Sequence, residues 1–448
     1  MEQHSNLTEG KVIPTLLKFA LPFLLASLLQ ALYGAADLVV VGQFSNSTQV
    51  SAVATGSQIM QTITSLILGL TTGGTILIGH YLGAKKYKDI TESIGTIICI
   101  FGIMAAILTV IMVLASGTIT SLMNTPAQAF ESTKQYILIC SWGIPFVIGY
   151  NALSGILRGL GNSKAPLFFI AMACVINIAV DIILVCFFNM GAPGAAIATV
   201  LAQAISFILG IFYMKKKEFD FEFKFSSIRL QAGKAKRITK LGLPISLQDG
   251  LINTSFIIIT AIINKMGLTA SASIGVVEKI IVFTMLPTIA FSSAIASMTA
   301  QNIGAKKPER AKQCLYVGIV CSLAIGLTCY GYIQINPTSL AALFSKDTRV
   351  ITMAALYLKS YSIDCILVCF VFCINSFFSG CGNSLFPMIH SIIATFIIRV
   401  PLSFALSKMA GITLYEIGFA SPLSTFVSLL MCMIYMKSGR WNNNCNGF

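Results

Sequence analysis

The sequence has 448 residues, of which 56% are hydrophobic and 10% are charged, and its mean hydropathy is +0.84. Because soluble domains carry about 25% charged residues, this composition excludes a soluble globular protein and predicts a polytopic membrane protein. The net charge of +14 does not indicate nucleic-acid binding. The basic residues of the chain concentrate in alternate loops, which is the distribution that the positive-inside rule gives for a membrane protein.

Apolar runs bounded by Gly, Pro, Asn and charged residues predict twelve membrane-spanning helices. In the first half, helices are expected near residues 15–41, 49–81, 92–116, 133–157, 166–188 and 193–214. In the second half, they are expected near 241–265, 270–302, 312–335, 351–378, 386–408 and 413–436. We expect an all-α protein, because helices pair their own backbone groups in lipid and the sequence lacks the alternating pattern of a β-barrel.

Basic residues indicate which loops face the cytoplasm. They follow the even-numbered predicted helices, with Lys85 and Lys86 after helix 2 and Lys306 and Lys307 after helix 8. The loops after helices 1 and 5 contain no Lys or Arg. By the positive-inside rule, we expect both termini in the cytoplasm and the chain in the inner membrane of a prokaryote.

Short motifs recur in the two halves at nearly constant spacing. Gly-Ala-Lys-Lys at 83–86 recurs at 304–307, Gly-x-Gly-Asn-Ser at 159–163 recurs at 380–384, and Leu-Pro at 21–22 recurs at 243–244. Transporters are often built from such repeats. We therefore predict two pseudo-symmetric six-helix bundles in the same orientation. They are an N-lobe at 1–214 and a C-lobe at 241–436, joined by a basic linker at 215–240 and followed by a polar tail at 437–448.

Two acidic residues lie inside predicted helices of the N-lobe, where no intramembrane Lys or Arg can neutralise them. At 1.5 Å per residue, Asp37 of helix 1 lies about 7 Å and Asp181 of helix 5 about 10 Å from the outer ends of their helices. Thr199 lies about 9 Å from the outer end of helix 6 by the same count. Asn177 shares a helix face with Asp181. Unpaired intramembrane acids must be protonated or bound to a cation.

Oxygen ligands suit hard cations, while an apolar surround favours the protonated form of a carboxyl group. We therefore predict a site for Na⁺ or H⁺ at Asp37, Asn177, Asp181 and Thr199. The alternative is that the two acids are neutral and only hold helices together by hydrogen bonds.

The C-lobe carries acids and bases together. Glu278 and Lys279 lie in helix 8, Asp364 in helix 10 and Arg399 in helix 11. Adjacent residues point about 100° apart on a helix, so Glu278 and Lys279 are expected to pair with other residues or with water. We expect structural ion pairs here, and keep all four residues as secondary candidates for substrate or proton handling.

Two further observations bear on mechanism. Pro22 removes a backbone hydrogen bond from helix 1, which predicts a bend on the helix that carries Asp37, either static or coupled to its protonation. No nucleophile or metal-ligand pattern is evident. We therefore expect neither an enzyme nor a cofactor, and no metal beyond Na⁺.

Taken together, these residues resemble the multidrug and toxic compound extrusion (MATE) family, in its DinF-like prokaryotic branch. The resemblance rests on Pro22, on Asp37-x4-Gly42 and on the repeated loop motifs. It also rests on Asn177-x3-Asp181 and on Gly194-Ala195-Ala196-x2-Thr199. The sequence departs from the NorM-like branch, which has a Glu in helix 7 at the position of Ile252.

The resemblance implies a secondary active multidrug antiporter that binds its coupling cation at Asp37, Asn177, Asp181 and Thr199 and bends at Pro22. It would export amphipathic or cationic organic compounds in exchange for Na⁺ or H⁺ by alternating access. We expect a monomer in the lipid bilayer, with small-molecule substrates and no nucleic acid. The alternative function is a lipid-linked oligosaccharide flippase of a related two-lobed fold.

Overall fold

A computed structural model describes residues 7–123, 125–216, 223–409 and 411–442, and these ranges contain no β-strand. Twelve of their helices are long and apolar enough to cross a membrane, which confirms the predicted all-α fold. We label them α1 (Val12–Phe44), α2 (Ser47–Gly83), α3 (Tyr87–Leu122), α4 (Phe130–Gly159), α5 (Lys164–Phe187), α6 (Gly191–Lys216), α7 (Ala232–Asn264), α8 (Leu268–Gly304), α9 (Pro308–Ile335), α10 (Ile363–Gly380), α11 (Leu385–Lys408) and α12 (Leu414–Lys437).

The described residues form two compact units whose boundaries differ from the predicted lobes at 1–214 and 241–436. The first unit contains the described residues within Leu21–Gly242, and the second contains Leu7–Ala20 with the described residues after Gly242. The start of α1 packs in the second unit because Leu16 and Phe19 are buried in an apolar core there. The start of α7 packs in the first unit, where Gly242 lies against the backbone of Leu70.

Close helix contacts in the first unit depend on small residues. α4 packs against α2, α3 and α6. A Cβ atom at Gly155 of α4 would lie 2.2 Å from Cγ2 of Thr71, so only glycine permits this approach. The Thr75 hydroxyl then donates a hydrogen bond to the Gly155 carbonyl at 2.9 Å. Small residues at interfaces are the usual means by which membrane helices pack closely.

The predicted linker at 215–240 is partly helical. Residues 232–240 form the first turns of α7, and the segment before them lies against α3. The Thr96 hydroxyl donates to the Arg229 carbonyl at 3.3 Å and accepts from the Gln231 amide at 3.4 Å. Lys234 forms ion pairs with Asp89 and Glu92.

Helix geometry departs from a regular α-helix at four places, one of which is Phe419, where α12 is interrupted. The predicted helix at 351–378 is wrong as a single helix, because Thr348–Tyr361 and α10 are separated at Ser362. The Gln334 side-chain amide donates to the Lys359 carbonyl at 2.7 Å, the group that would accept the next helical hydrogen bond. α5 and α11 contain π-helical stretches, Ile182–Phe187 and Ile393–Arg399.

Candidate cation site

Three helices of the first unit bring together the side chains that the sequence predicts to bind a cation. Asp37 lies on α1, Asn177 and Asp181 on α5, and Thr199 on α6. Asp37 is 4% exposed, and Asn177 and Asp181 are fully buried. Asp181 directly precedes the π-helical stretch of α5, and such stretches are frequent at functional sites because they reorient a helix face.

The carboxyl group of Asp37 is the centre of this group of side chains. It accepts a hydrogen bond from the Thr199 hydroxyl through Oδ2, at 3.0 Å. The Asp181 carboxyl is close enough to that of Asp37 to interact with it electrostatically, and Asn177 lies one turn before Asp181 on α5. We call Asp37, Asn177, Asp181 and Thr199 the acidic cluster.

The acidic cluster has no basic partner among the described residues. Neither Asp37 nor Asp181 forms an ion pair there. Within the described residues, no donor forms a hydrogen bond with Oδ1 of Asp37 or with either carboxyl oxygen of Asp181. Buried oxygens without donors are costly, so their chemistry fits a small positive ion.

A second layer of side chains surrounds the cluster, and the sequence analysis did not identify it. The Tyr33 hydroxyl accepts from the Gln203 amide at 3.0 Å, and both residues are one turn from a cluster residue on their own helices. Tyr136 and Cys140 of α4 are buried and lie close enough to Asp37 to interact with it electrostatically. The four-residue spacing from Tyr33 to Asp37 was a usable signal, because residues at i and i+4 share a helix face.

The N-terminus of α6, which positions Thr199, is held by Gln49 of α2. Its side-chain carbonyl accepts from the Ala192 amide at 2.9 Å, and its amide donates to the Ser132 hydroxyl at 3.0 Å. Gly191 begins α6 with a φ of +56°, a backbone conformation that favours glycine. One side chain therefore connects α2, α4 and α6 at this end of the unit.

In the second unit, the secondary candidates are not paired as expected. Within the described residues, Glu278, Lys279, Asp364 and Arg399 form no ion pairs, so the expectation of structural ion pairing is wrong there. Lys279 is exposed. Each carboxyl group is hydrogen-bonded to a hydroxyl instead.

The hydroxyl partners come from neighbouring helices. Glu278 accepts from Thr260 of α7, and Asp364 accepts from Ser421 of α12 at 3.0 Å. A neutral hydroxyl can stabilise a carboxyl group without the desolvation of a second charge, and the sequence spacing does not reveal such pairs. These residues remain secondary candidates.

Comparison with known proteins gives consistent results over the whole chain. The MatE family model matches twice, at residues 22–183 and 244–405. "Probable multidrug resistance protein YoeA" of Bacillus subtilis is 27% identical over 94% of this chain and 92% of its own length. "Multidrug export protein MepA" of Staphylococcus haemolyticus is 24% identical over 98% of this chain and 97% of its own length.

Solved structures share the fold. A crystal structure of MATE in complex with MaL6 has a TM-score of 0.91 at 18% identity, over 98% of this chain and 99% of that chain. An outward-facing multidrug resistance MATE family transporter of the MOP superfamily also has a TM-score of 0.91, at 19% identity, over 99% of both chains.

Proposed function

Since the chain belongs to the MatE family of membrane transporters, as its repeated motifs predict, and is not an enzyme, we propose that it is a secondary antiporter. It exports amphipathic or cationic organic compounds and takes up Na⁺ or H⁺ in exchange. The observation that carries this proposal is the proximity of the Asp37 and Asp181 carboxyls, which interact electrostatically and have no basic partner in the described residues.

The proximity of the two carboxyl groups matters because their charges must be balanced. Two neighbouring carboxyl groups cannot both be ionised in an apolar region without a compensating positive charge. A proton or a Na⁺ ion supplies that charge. Thr199 and Asn177 add neutral oxygens that a hard cation accepts as ligands. The acidic cluster is therefore stable when it holds one cation and unstable when it is empty.

Emptying the cluster then affects the helices that carry it. Repulsion between Asp37 on α1 and Asp181 on α5 favours a rearrangement of these two helices. Pro22 interrupts the hydrogen bonding of α1, and we propose that α1 bends there. α1 passes from the second unit to the first between Ala20 and Leu21, so a bend at Pro22 would accompany alternating access. We also propose that both termini lie in the cytoplasm and that the protein is a monomer.

Efflux from vesicles tests this function. Ethidium-loaded vesicles that contain the full chain receive a Na⁺ gradient or a pH gradient, each imposed alone. We expect one gradient to drive efflux by the wild-type protein, and Asp181→Asn and Asp37→Asn to abolish it while the protein level is unchanged.

Asp249→Asn is the matched control, because Asp249 is a partly buried acid of α7 outside the acidic cluster. It should retain gradient-driven efflux. Normal efflux by Asp181→Asn would refute the proposed role of the cluster.

A further inference from the structure

Arg399 of the second unit is a buried charge that forms no salt bridge within the described residues. It is 6% exposed and is the last residue of the π-helical stretch Ile393–Arg399 in α11. Charged residues inside membrane helices are expensive and mark functional sites by default.

The guanidinium group has one free edge. Nη1 donates to the Ser255 hydroxyl at 3.5 Å, the long limit of a hydrogen bond, and the group lies 4.1 Å from the ring centroid of Phe256. Nε and Nη2 find no acceptor among the described residues. These two nitrogens form the side edge of guanidinium, whose parallel N–H groups bind a carboxylate or a phosphate through two hydrogen bonds.

Nearby acids do not fill this edge. Glu278 is hydrogen-bonded to Thr260, and Oδ2 of Asp364 to Ser421. Oδ1 of Asp364 is buried and accepts no hydrogen bond within the described ranges, and the Thr425 and Tyr361 hydroxyls lie near the same carboxyl. Arg399 and Asp364 are close enough to interact electrostatically. The second unit therefore presents an unfilled pair of donors and an unfilled acceptor in one buried region.

We propose that the Nε–Nη2 edge of Arg399 binds an oxyanion carried by an amphipathic molecule, and that Asp364 binds a cationic or hydrogen-donating group of the same molecule. The ligand class is a zwitterionic amphipath. This inference rests on the proposed function, because it specifies a class of transported compound. The oxyanion is a carboxylate of a solute or a phosphate of a lipid, and both are recognised by the same edge.

Two dyes that differ only in a carboxylate test the proposal. Rhodamine 110 carries a free carboxylate, and rhodamine 123 is its methyl ester. Their binding to the purified full chain is measured by fluorescence polarisation in dodecyl maltoside, without any ion gradient. We expect the wild-type protein to bind rhodamine 110 more tightly. We expect Arg399→Gln to lower the affinity for rhodamine 110 by about 10- to 100-fold, which is the effect of losing a charge-assisted bidentate contact. The affinity for rhodamine 123 should be unchanged.

Two further variants make the test independent of folding. Arg399→Lys keeps the positive charge but loses the two parallel N–H groups of the guanidinium edge. Its loss of rhodamine 110 affinity should therefore be smaller than that of Arg399→Gln. Lys408→Gln removes an exposed base at the end of the same helix and should change neither affinity. Equal losses for both dyes in the two Arg399 variants, or no preference of the wild-type protein for rhodamine 110, would overturn the proposal.

The same measurement separates this inference from the proposed function. Lower rhodamine 110 affinity in phosphatidylcholine nanodiscs than in detergent, seen only with Arg399 present, would identify lipid phosphate as the competing oxyanion. Carboxylate-dependent binding with no gradient-driven efflux would refute antiport and leave the oxyanion site. Ethidium efflux with no carboxylate-dependent binding would leave antiport and refute the oxyanion site.

Discussion

Asp181→Asn should change how the stability of the protein depends on its coupling ion. In the wild-type protein, the ionised and empty cluster contains two neighbouring carboxylates within a buried region. Two unit charges about 4 Å apart repel by about 4 kcal/mol at an effective dielectric constant of about 20. Relaxation of the helices and entry of water reduce this value, so it is an upper limit. The substitution removes one of the charges and therefore the whole repulsion.

Thermal unfolding of the purified protein in detergent measures this effect. Without Na⁺, the Tm of the wild-type protein should fall as pH rises, because the second ionisation of the cluster introduces the repulsion. Added Na⁺ should restore the Tm if Na⁺ is the coupling ion and should have no effect if H⁺ is. Asp181→Asn should keep a higher Tm at alkaline pH, show a smaller dependence of Tm on pH and lose the response to Na⁺. Asp249→Asn leaves the acidic cluster intact, so its Tm should still fall at alkaline pH and should respond to added Na⁺ as the Tm of the wild-type protein does.

The opposite outcome would refute the reasoning. If Asp181→Asn and the wild-type protein show the same dependence of Tm on pH and Na⁺, the two carboxyls do not share a positive charge. Their proximity would then be a structural link between α1 and α5.

Two substitutions test the geometry around the site and the packing of the first unit. Thr199→Val removes the hydroxyl that donates to Asp37. Because a hydrogen bond to a charged group contributes about 1.5 kcal/mol or more, the initial rate of gradient-driven ethidium efflux should fall about 10-fold. Thr199→Ser keeps a hydroxyl and should retain most of this rate. Equal rates for the two Thr199 variants would contradict this role. Gly95→Ala would place a methyl group 1.9 Å from the Ser227 carbonyl and should destabilise the unit by about 1–3 kcal/mol, with faster hydrogen exchange at 223–231. Gly102→Ala, on the same helix with open space around it, is the control, and unchanged exchange in Gly95→Ala would show that the segment does not depend on this contact.

The sequence predicts the fold well because its main signals are local. Each span is a continuous apolar run, and the repeat at 83–86 and 304–307 needs only a comparison of the two halves. The helix break at Ser362 is not predictable in this way. There the Lys359 carbonyl accepts from the nearby Ser362 hydroxyl and from Gln334, which is 25 residues away in the chain and reaches it only in the folded protein.

The same distinction applies to the sites. Asp37 and Asp181 stand out because carboxyl groups are rare in apolar helices and because topology places them at a similar depth. The hydroxyl partners of Glu278 and Asp364 do not stand out, since Thr and Ser are common throughout the membrane helices and only their rotation about the helix axis decides the contact. Arg399 is visible in the sequence, but its free edge is defined by the packing of Phe256 and Ser255.

Exchange driven by a substrate gradient in proteoliposomes tests the coupling of substrate to cation most directly. An outward-directed ethidium gradient is imposed with no initial ion gradient, and Na⁺ flux and H⁺ flux are both recorded. We predict that the wild-type protein moves one of these ions opposite to ethidium, and that Asp181→Asn moves neither. Ethidium transport without flux of either ion, or an undiminished ion flux in Asp181→Asn, would contradict the account.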